Sequence, residues 1–282
     1  MSELCIQHVD KRFGDTHAIQ DMTFSLTCPK IYGLLGRNGA GKSTLLKMIT
    51  NRLFADSGEI LLDGQCVEEN DIVLRQMYLM SEENMFPAQR RLCDIIHWTQ
   101  AFHQGFDLPR AQSLCEAFEL DTRKRISQLS TGYGSIFHDI LALCVDAPFI
   151  FLDEPVLGLD ASHRDLFYQS LLEAYSDHPR TFVLSTHLIE EVAHVIEDVL
   201  ILKNGSLIVH EPVENLLLRA YTVSGPAHKV DVFVQDKKVL GAEALAGIKQ
   251  VTVLGMQVPG ADPDLRFGRP DLQKLFIHLT ND

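Results

Sequence analysis

The chain has 282 residues, of which 46% are hydrophobic, enough for one large or two modest cores. It carries 38 acidic against 25 basic side chains, and its longest basic run is Arg123-Lys124-Arg125, so no nucleic-acid partner is expected. Its 6 cysteines form no CxxC pair, which indicates reduced thiols in a cytoplasm. Because no apolar run approaches ~18 residues, we expect no membrane crossing by the chain itself.

Two short runs of alternating apolar and polar residues open the chain, at 4–9 and 22–26. A turn signal, Gly14-Asp15, lies between them, and Phe13 falls just before that turn. The pattern predicts two antiparallel strands laid against the core that follows.

The next apolar run, residues 31–35, predicts a buried strand, and the residues after position 44 have helical spacing. One broad helix face is predicted to carry Leu45, Leu46, Met48, Ile49 and Leu53. The strand-to-helix turn between them reads Gly36-Arg37-Asn38-Gly39-Ala40-Gly41-Lys42-Ser43-Thr44.

This turn has the residues and the context of a phosphate-binding loop. Glycines let successive backbone N–H groups converge on phosphate oxygens, and the helix N-terminus adds partial positive charge. Lys42 would supply a full charge to the β- and γ-phosphates, and Ser43 is placed to ligate Mg²⁺. Phe13 could then stack on an adenine ring, although ordinary core packing is the simpler explanation of that residue alone.

Residues 77–80 predict a strand that ends at Ser81-Glu82-Glu83. A polar side chain there could reach a metal ion or the attacking water; two solvated acids at the start of a loop are the alternative. Residues 84–145 change to the helical period, which predicts a mostly helical insertion. That insertion ends in Leu129-Ser130-Thr131-Gly132-Tyr133-Gly134, where Ser130 is a predicted helix N-cap at a suitable site for an anion.

A continuously apolar run, residues 149–152, predicts a parallel strand buried on both faces, and Asp153 and Glu154 follow it directly. Acids at that end of a parallel sheet emerge where ligands bind. Asp153 would hold Mg²⁺, and Glu154 would orient or deprotonate the attacking water; a helix N-cap acid is the alternative.

Gly158-Leu159-Asp160 follows on a loop, and another apolar strand, residues 181–186, ends at His187. A histidine there can hydrogen-bond the γ-phosphate and sense its presence. His187 and His194 lie seven apart on a predicted helix, a spacing that argues against a zinc site.

Asn204-Gly205 predicts a hairpin between residues 199–202 and 206–209. After Pro212 the pattern changes: residues 229–234 and 250–258 alternate like strands, and residues 271–279 resemble a short helix. We therefore predict an α/β fold with a mostly parallel sheet, an antiparallel N-terminal subdomain and a helical insertion over about residues 84–145. Residues 1–215 would form the nucleotide-binding domain and residues 216–282 a small α+β appendage.

This ordered set of motifs resembles the ATP-binding cassette family, in particular the separate nucleotide-binding subunits of drug and peptide exporters. The resemblance covers residues 2–215 and implies a head-to-tail dimer, with a copy or a related subunit, that holds each ATP between two chains. It implies that Lys42 takes part in catalysis with Glu154 and His187, that Phe13 stacks the adenine, and that Asp160 reports across the dimer. Ser130 and Gly132 would contact the partner's nucleotide.

Two departures from the family pattern are visible. The signature segment is usually Leu-Ser-Gly-Gly-Gln, so Thr131 restricts a position that is normally glycine and Tyr133 replaces an amide. Glu82 stands where the metal-sensing glutamine is usual, and an acid there could still ligate Mg²⁺ while adding charge near the phosphates.

The leading interpretation is an ATPase subunit that powers a separate membrane permease from the cytoplasmic face of the membrane. A soluble mechanoenzyme acting on ribosomes or DNA is a second hypothesis, which the single phosphate loop and the acidic charge disfavour. A regulatory subunit that clamps ATP with little turnover is a third, motivated by the altered signature segment.

Overall fold

A computed structural model of the chain describes residues 2–81, 83, 85–256 and 262–281. The predicted N-terminal strands are present, longer than predicted, and pair antiparallel across the turn at Gly14. The first part of the chain forms β1 (Glu3–Phe13), β2 (Thr16–Thr27), β3 (Ile31–Gly36), α1 (Lys42–Ile49), β4 (Ser57–Leu62), β5 (Gln65–Cys66), α2 (Asp71–Leu74) and β6 (Met77–Met80).

The predicted helical insertion and the two further buried strands follow. A short 3-10 turn, Ile126–Gln128, precedes the helix capped by Ser130. The elements are α3 (Leu92–Phe102), α4 (Leu108–Ala117), α5 (Thr131–Cys144), β7 (Phe149–Asp153), α6 (Ala161–Asp177), β8 (Thr181–Thr186), α7 (Ile189–Val192), β9 (Asp198–Lys203), β10 (Ser206–Pro212) and α8 (Val213–Leu218).

The centre of the fold is a sheet of 6 strands in the order β10-β9-β3-β8-β7-β6 within the described residues. All neighbours are parallel except β10, which returns antiparallel to β9 through the predicted Asn204-Gly205 turn. Both faces are buried, which explains the continuously apolar strands. Along β7, Phe149 and Phe151 face one core, and Ile150 and Leu152 face the other.

These two cores join the sheet to different layers. One lies between the sheet and helices that include α3, α4, α5 and α6. The other lies between the sheet, α1 and the antiparallel sheet β2-β1-β4-β5. The fold class predicted from the sequence is therefore confirmed.

The C-terminal part forms a third sheet with a helix packed on it. Its elements are β11 (Ala220–Pro226), α9 (Ala227–Val234), β12 (Val239–Leu245), β13 (Ile248–Leu254), β14 (Arg266–Gly268) and α10 (Leu272–Thr280), with the strands in the order β12-β13-β11-β14. Helix α10 returns to the large core, where Leu272, Leu275 and Phe276 are buried.

One element of this part was predicted wrongly. Residues 229–234 were expected to be a strand, but they lie in helix α9. The sequence fits both a strand and a helix. Val230, Val232 and Val234 alternate as on one face of a strand, and Val230, Phe233 and Val234 would share one face of a helix. The structure uses the second set, which packs on the third sheet, and leaves Val232 exposed.

Two smaller expectations also differ from the structure. Helix α1 ends at Ile49, so Leu53 lies beyond it, although it still packs against the core beside α1. Helix α7 lies between His187 and His194 and contains neither residue. None of the helices described is long and apolar enough to cross a membrane.

Candidate functional site

The carboxyl ends of three neighbouring strands meet at one edge of the central sheet. In the register, Leu35 of β3 lies beside Thr186 of β8, and Asp153 of β7 lies beside Ser185. The phosphate loop after β3, Glu154 after β7 and His187 after β8 therefore begin side by side. This edge is where parallel α/β sheets bind their ligands.

A cavity of about 860 Å³ opens at this edge. Its walls bring together the phosphate loop, the acid after β7, the histidine after β8, the start of β2 and the tip of the β9–β10 hairpin. The lining residues are Thr16, His17, Ala18, Gln20, Asn38, Gly39, Ala40, Gly41, Lys42, Ser43, Thr44, Glu154, Leu157, His187 and Asn204.

The start of α1 leaves its first backbone N–H groups without a side-chain cap. Its N-cap is Gly41, whose φ of 103° lies in the left-handed region, and a Cβ atom there would come within 2.6 Å of the Ala18 carbonyl oxygen. Only glycine fits this turn without strain. Since a glycine cap has no side chain to occupy the first N–H groups of the helix, those groups remain for a ligand in the cavity.

Lys42 and Glu154 face each other beneath this loop. The buried Nζ of Lys42 donates to the Gly36 carbonyl oxygen at 2.8 Å and lies 3.5 Å from Oε1 of Glu154. The other oxygen of Glu154 accepts from Oγ1 of Thr186 at 3.0 Å, and Nδ1 of His187 donates to Oε1 at 2.9 Å. Glu154 has a φ of 51°, a conformation uncommon for a residue with a side chain and one that clusters at functional sites.

Asp153 lies behind the cavity wall rather than in it. It is buried at the end of β7 and accepts a hydrogen bond of 2.8 Å from Oγ of Ser185. Glu82, another predicted metal ligand, lies outside the described residues. The neighbouring Glu83 is paired at 2.7 Å with Lys47 of α1.

Gly36 and Arg37 border the loop without lining the cavity: Gly36 is buried at the end of β3, and Arg37 is exposed. Phe13 is 49% exposed, so it does not pack in the core, and the Nζ of Lys11 lies 5.6 Å from its ring centroid. Phe13 pairs with Thr16, which lines the cavity.

The signature segment and Asp160 lie elsewhere in the chain. Ser130 caps α5 as predicted, accepting from the Tyr133 N–H at 3.3 Å, and lines a separate cleft of about 350 Å³. Asp160 caps α6, a role that the sequence did not predict; it accepts from the backbone N–H and from Nδ1 of His163, both at 2.9 Å. These bonds, the backbone one foremost, lower the pKa of Asp160.

Several cavity residues carry no recognisable signal in the sequence. His17 is held by Asp10, whose carboxylate accepts from Nε2 at 2.7 Å, and this bond lowers the pKa of Asp10. Gln20 reaches the hairpin tip, where its amide donates to the Asn204 carbonyl oxygen at 2.7 Å. No local motif marks these positions, which depend on the pairing of strands distant in sequence.

A glycine-rich loop between a parallel strand and a helix, with an acid and a histidine at the next strand ends, defines a P-loop nucleotide-binding protein. Residues 19–157 match the family model described as ABC transporter. This stretch is therefore an ABC transporter domain, an ATP-binding cassette.

Named relatives of the chain are also ATP-binding proteins of this kind. The ABC transporter ATP-binding protein YtrB of Bacillus subtilis is 27% identical over 202 residues, covering 72% of this chain and 69% of that protein. The daunorubicin resistance ATP-binding protein DrrA3 of Streptomyces coeruleorubidus is 26% identical over 318 residues, covering 99% and 96%. The dimeric structure of the ATP-binding cassette MJ0796 bound to ADP and Pi is similar in fold, with a TM-score of 0.65 at 22% identity over 74% of this chain and 98% of that one.

Proposed function

We propose that this chain binds and hydrolyses ATP and thereby powers a separate membrane permease, with export as the direction of transport. The observation that carries the proposal is the cavity in which the phosphate loop, Lys42, Glu154 and His187 converge. Two relatives support the proposal by their names: YtrB is an ABC transporter ATP-binding protein, and DrrA3 is a daunorubicin resistance ATP-binding protein.

The contacts of the cavity suggest how the residues would act on ATP. Lys42 holds the Gly36 carbonyl oxygen and faces Glu154, and a triphosphate would give its ammonium a stronger partner. Glu154, held by Thr186 and His187, would orient a water molecule and take its proton. His187 would donate to the γ-phosphate, so its contact with Glu154 would respond to hydrolysis.

Oxygen donors suited to Mg²⁺ lie at the same edge. Ser43 presents a hydroxyl in the cavity, and Asp153 a carboxylate one residue before Glu154. The described residues contain no group of three or more histidine, cysteine or acidic side chains that could hold a metal alone. Mg²⁺ generally uses one or two protein ligands beside substrate phosphates. Bound there, the ion would neutralise charge on the phosphates.

The separate position of Ser130 favours a site shared between two chains. Ser130 and the phosphate loop line different cavities of one chain, which favours a second chain as the source of one of these two contacts with a nucleotide. The partner would be a second copy or a related ATPase subunit, with Asp160 near the same boundary.

A groove beside α3 fits a permease segment. It has a volume of about 380 Å³, and its exposed rim includes Met85, Trp98 and Phe102, the last of which is 82% exposed. Exposed aromatic side chains around a concave surface are typical of an interaction site. A permease docked here would hold the chain at the cytoplasmic face of the membrane.

Phosphate release by the purified chain, with and without its permease, tests the proposal. Glu154→Gln should retain ATP binding and lower kcat by about 100-fold or more. Glu173→Gln, an exposed exchange on α6, is the matched control and should keep the wild-type rate. Equal, near-zero rates of wild type and Glu154→Gln with permease present would favour the ATP clamp instead.

Docking is tested separately by co-purification. Trp98→Ser combined with Phe102→Ser should weaken co-purification with the permease while leaving ATP binding intact. A chain that binds ATP but never associates with a membrane protein, and binds RNA or DNA in a salt-sensitive way, would favour the mechanoenzyme.

A further inference from the structure

The loop between Glu154 and Asp160 connects the nucleotide cavity with the cleft at the signature segment. Leu157 lines both spaces. One residue further on, Gly158 lies against Gly132 so closely that a Cβ atom on Gly132 would come within 2.8 Å of the Gly158 carbonyl oxygen. A shift of this loop therefore cannot leave the start of α5 undisturbed, since packed contacts transmit displacement.

His163, on the first turn of α6, holds the far end of this loop. Its backbone N–H and its Nδ1 both donate to the carboxylate of Asp160 at 2.9 Å, which fixes the orientation of that side chain. The imidazole also stacks on Phe118, with ring centroids 5.9 Å apart and 14° between the planes. Phe118 is buried in the helical insertion, so this stacking contact joins His163 to the core of that insertion.

Tyr133 completes the connection from the signature side. Its ring meets His163 edge-on, with centroids 6.0 Å apart and 67° between the planes. Its backbone N–H donates to Oγ of Ser130 at 3.3 Å. One residue of the signature segment thus contacts both the capping serine and the histidine that holds Asp160. The departure from the usual glutamine is what supplies the ring.

We propose that His163 is a positioning residue that, through its contacts with Asp160 and Tyr133, makes the Asp160 loop and the signature segment move as one unit when nucleotide binds. This inference rests on the proposed function, because it concerns the cavity assigned above to ATP. Nucleotide in that cavity would bias the loop at Leu157, and the His163–Tyr133 contact would carry the change to Ser130. In the two-chain site, the surfaces offered to the other chain would then respond to occupancy of this chain's own cavity.

Hydrogen exchange of the full chain with and without ATP tests the transmission. We expect ATP to slow exchange over residues 36–44, over 155–163 and over 130–135. In His163→Ala the first effect should persist and the last should disappear. Protection of 36–44 without any change at 130–135 in the wild type would overturn this inference alone. Absence of protection at 36–44 would instead overturn the proposed nucleotide site.

A double-mutant cycle on ATP hydrolysis, measured with the permease present, tests the coupling itself. Tyr133→Ala and His163→Ala should each lower kcat by roughly three- to tenfold, the factor that corresponds to one aromatic pair, with little change in KM. The double variant should lose no more than the worse single variant. Multiplied losses, or an increase in KM with kcat unchanged, would refute the coupling.

Two further variants separate positioning from general destabilisation. Tyr133→Phe keeps the ring contact and should restore the wild-type kcat. His178→Ala removes an exposed histidine at the other end of α6 and should have no effect. If Tyr133→Phe is as impaired as Tyr133→Ala, the hydroxyl rather than the ring contact matters, and the inference is wrong.

Discussion

Replacing Asp139 by asparagine should remove a pH-dependent loss of stability, so the variant should gain on the wild type as the pH rises. Asp139 lies on α5, is 1% exposed, and neither of its carboxylate oxygens has a hydrogen-bond partner among the described residues. Its neighbours Ile136, Ile140 and Leu143 belong to the large core. Burial raises the pKa of Asp139 well above its usual range, so the folded chain keeps this carboxyl protonated.

The sign and size of the effect follow from proton linkage. The unfolded chain releases this proton above about pH 4, whereas the folded chain retains it, so the folded state binds one more proton. The free energy of unfolding therefore falls by about 1.4 kcal/mol per pH unit, from the unfolded pKa up to the folded one. Asparagine carries no such proton, so from about pH 5 upward the free energy of unfolding of the variant should gain on that of the wild type by about 1.4 kcal/mol per pH unit, for as long as the folded chain keeps the Asp139 proton.

Urea unfolding of both proteins across that pH range measures the difference. Asp165→Asn, an exposed exchange on α6, is the matched control for loss of one negative charge. The wild type and Asp139→Asn should diverge with the predicted slope. Curves that stay parallel would mean that Asp139 is hydrated or ionised in the folded chain, and the reasoning from burial would be wrong.

Other substitutions test the cavity and the core. Lys42→Ala should weaken ATP binding by about 10- to 100-fold, measured by titration of a fluorescent nucleotide, because it removes the cation that we propose contacts the phosphates. Gly41→Ala should lower stability by at least about 2 kcal/mol and abolish nucleotide binding, since both its φ and its close backbone contact oppose a side chain; thermal unfolding would show it. Arg180→Ala should cost about 3 kcal/mol in urea unfolding, because buried Arg180 donates to the carbonyl oxygens of Leu143 and Val145 at 2.7 and 2.8 Å. A loss below about 1 kcal/mol would show that water replaces the guanidinium.

The chain's local structure could be predicted where a short segment determines its own backbone geometry. The phosphate loop needs only a strand, glycines and a helix in succession, and Asn204-Gly205 sets its hairpin by local conformation. The strand before Asp153 could be predicted because a parallel strand buried on both faces is apolar throughout. In each case one local requirement decides both residue type and structure.

Prediction failed where one sequence fitted both the strand and the helix period. It also failed where a residue's position depends on contacts between segments distant in sequence. Residues 229–234 satisfied both periods, and only packing on the third sheet selected the helix. His17 and Gln20 line the cavity because β2 passes the tip of the β9–β10 hairpin. Neither the sequence of β2 nor that of the hairpin predicts this contact. Asp160 is an N-cap because α6 begins after it, and the motif alone did not reveal that role.

The contrast between local signals and distant contacts also applies to Tyr133. In the sequence it is only the loss of the glutamine amide that is usual at this position. Considered alone, it removes an amide from a segment where an anion is expected, and nothing nearby in sequence replaces that group. The fold brings His163 beside it from a different helix and gives the ring a partner that also holds Asp160. A departure from a motif therefore has to be judged by what its side chain contacts. Here the ring of Tyr133 contacts His163, and His163 holds Asp160 at the end of the loop that begins at Glu154.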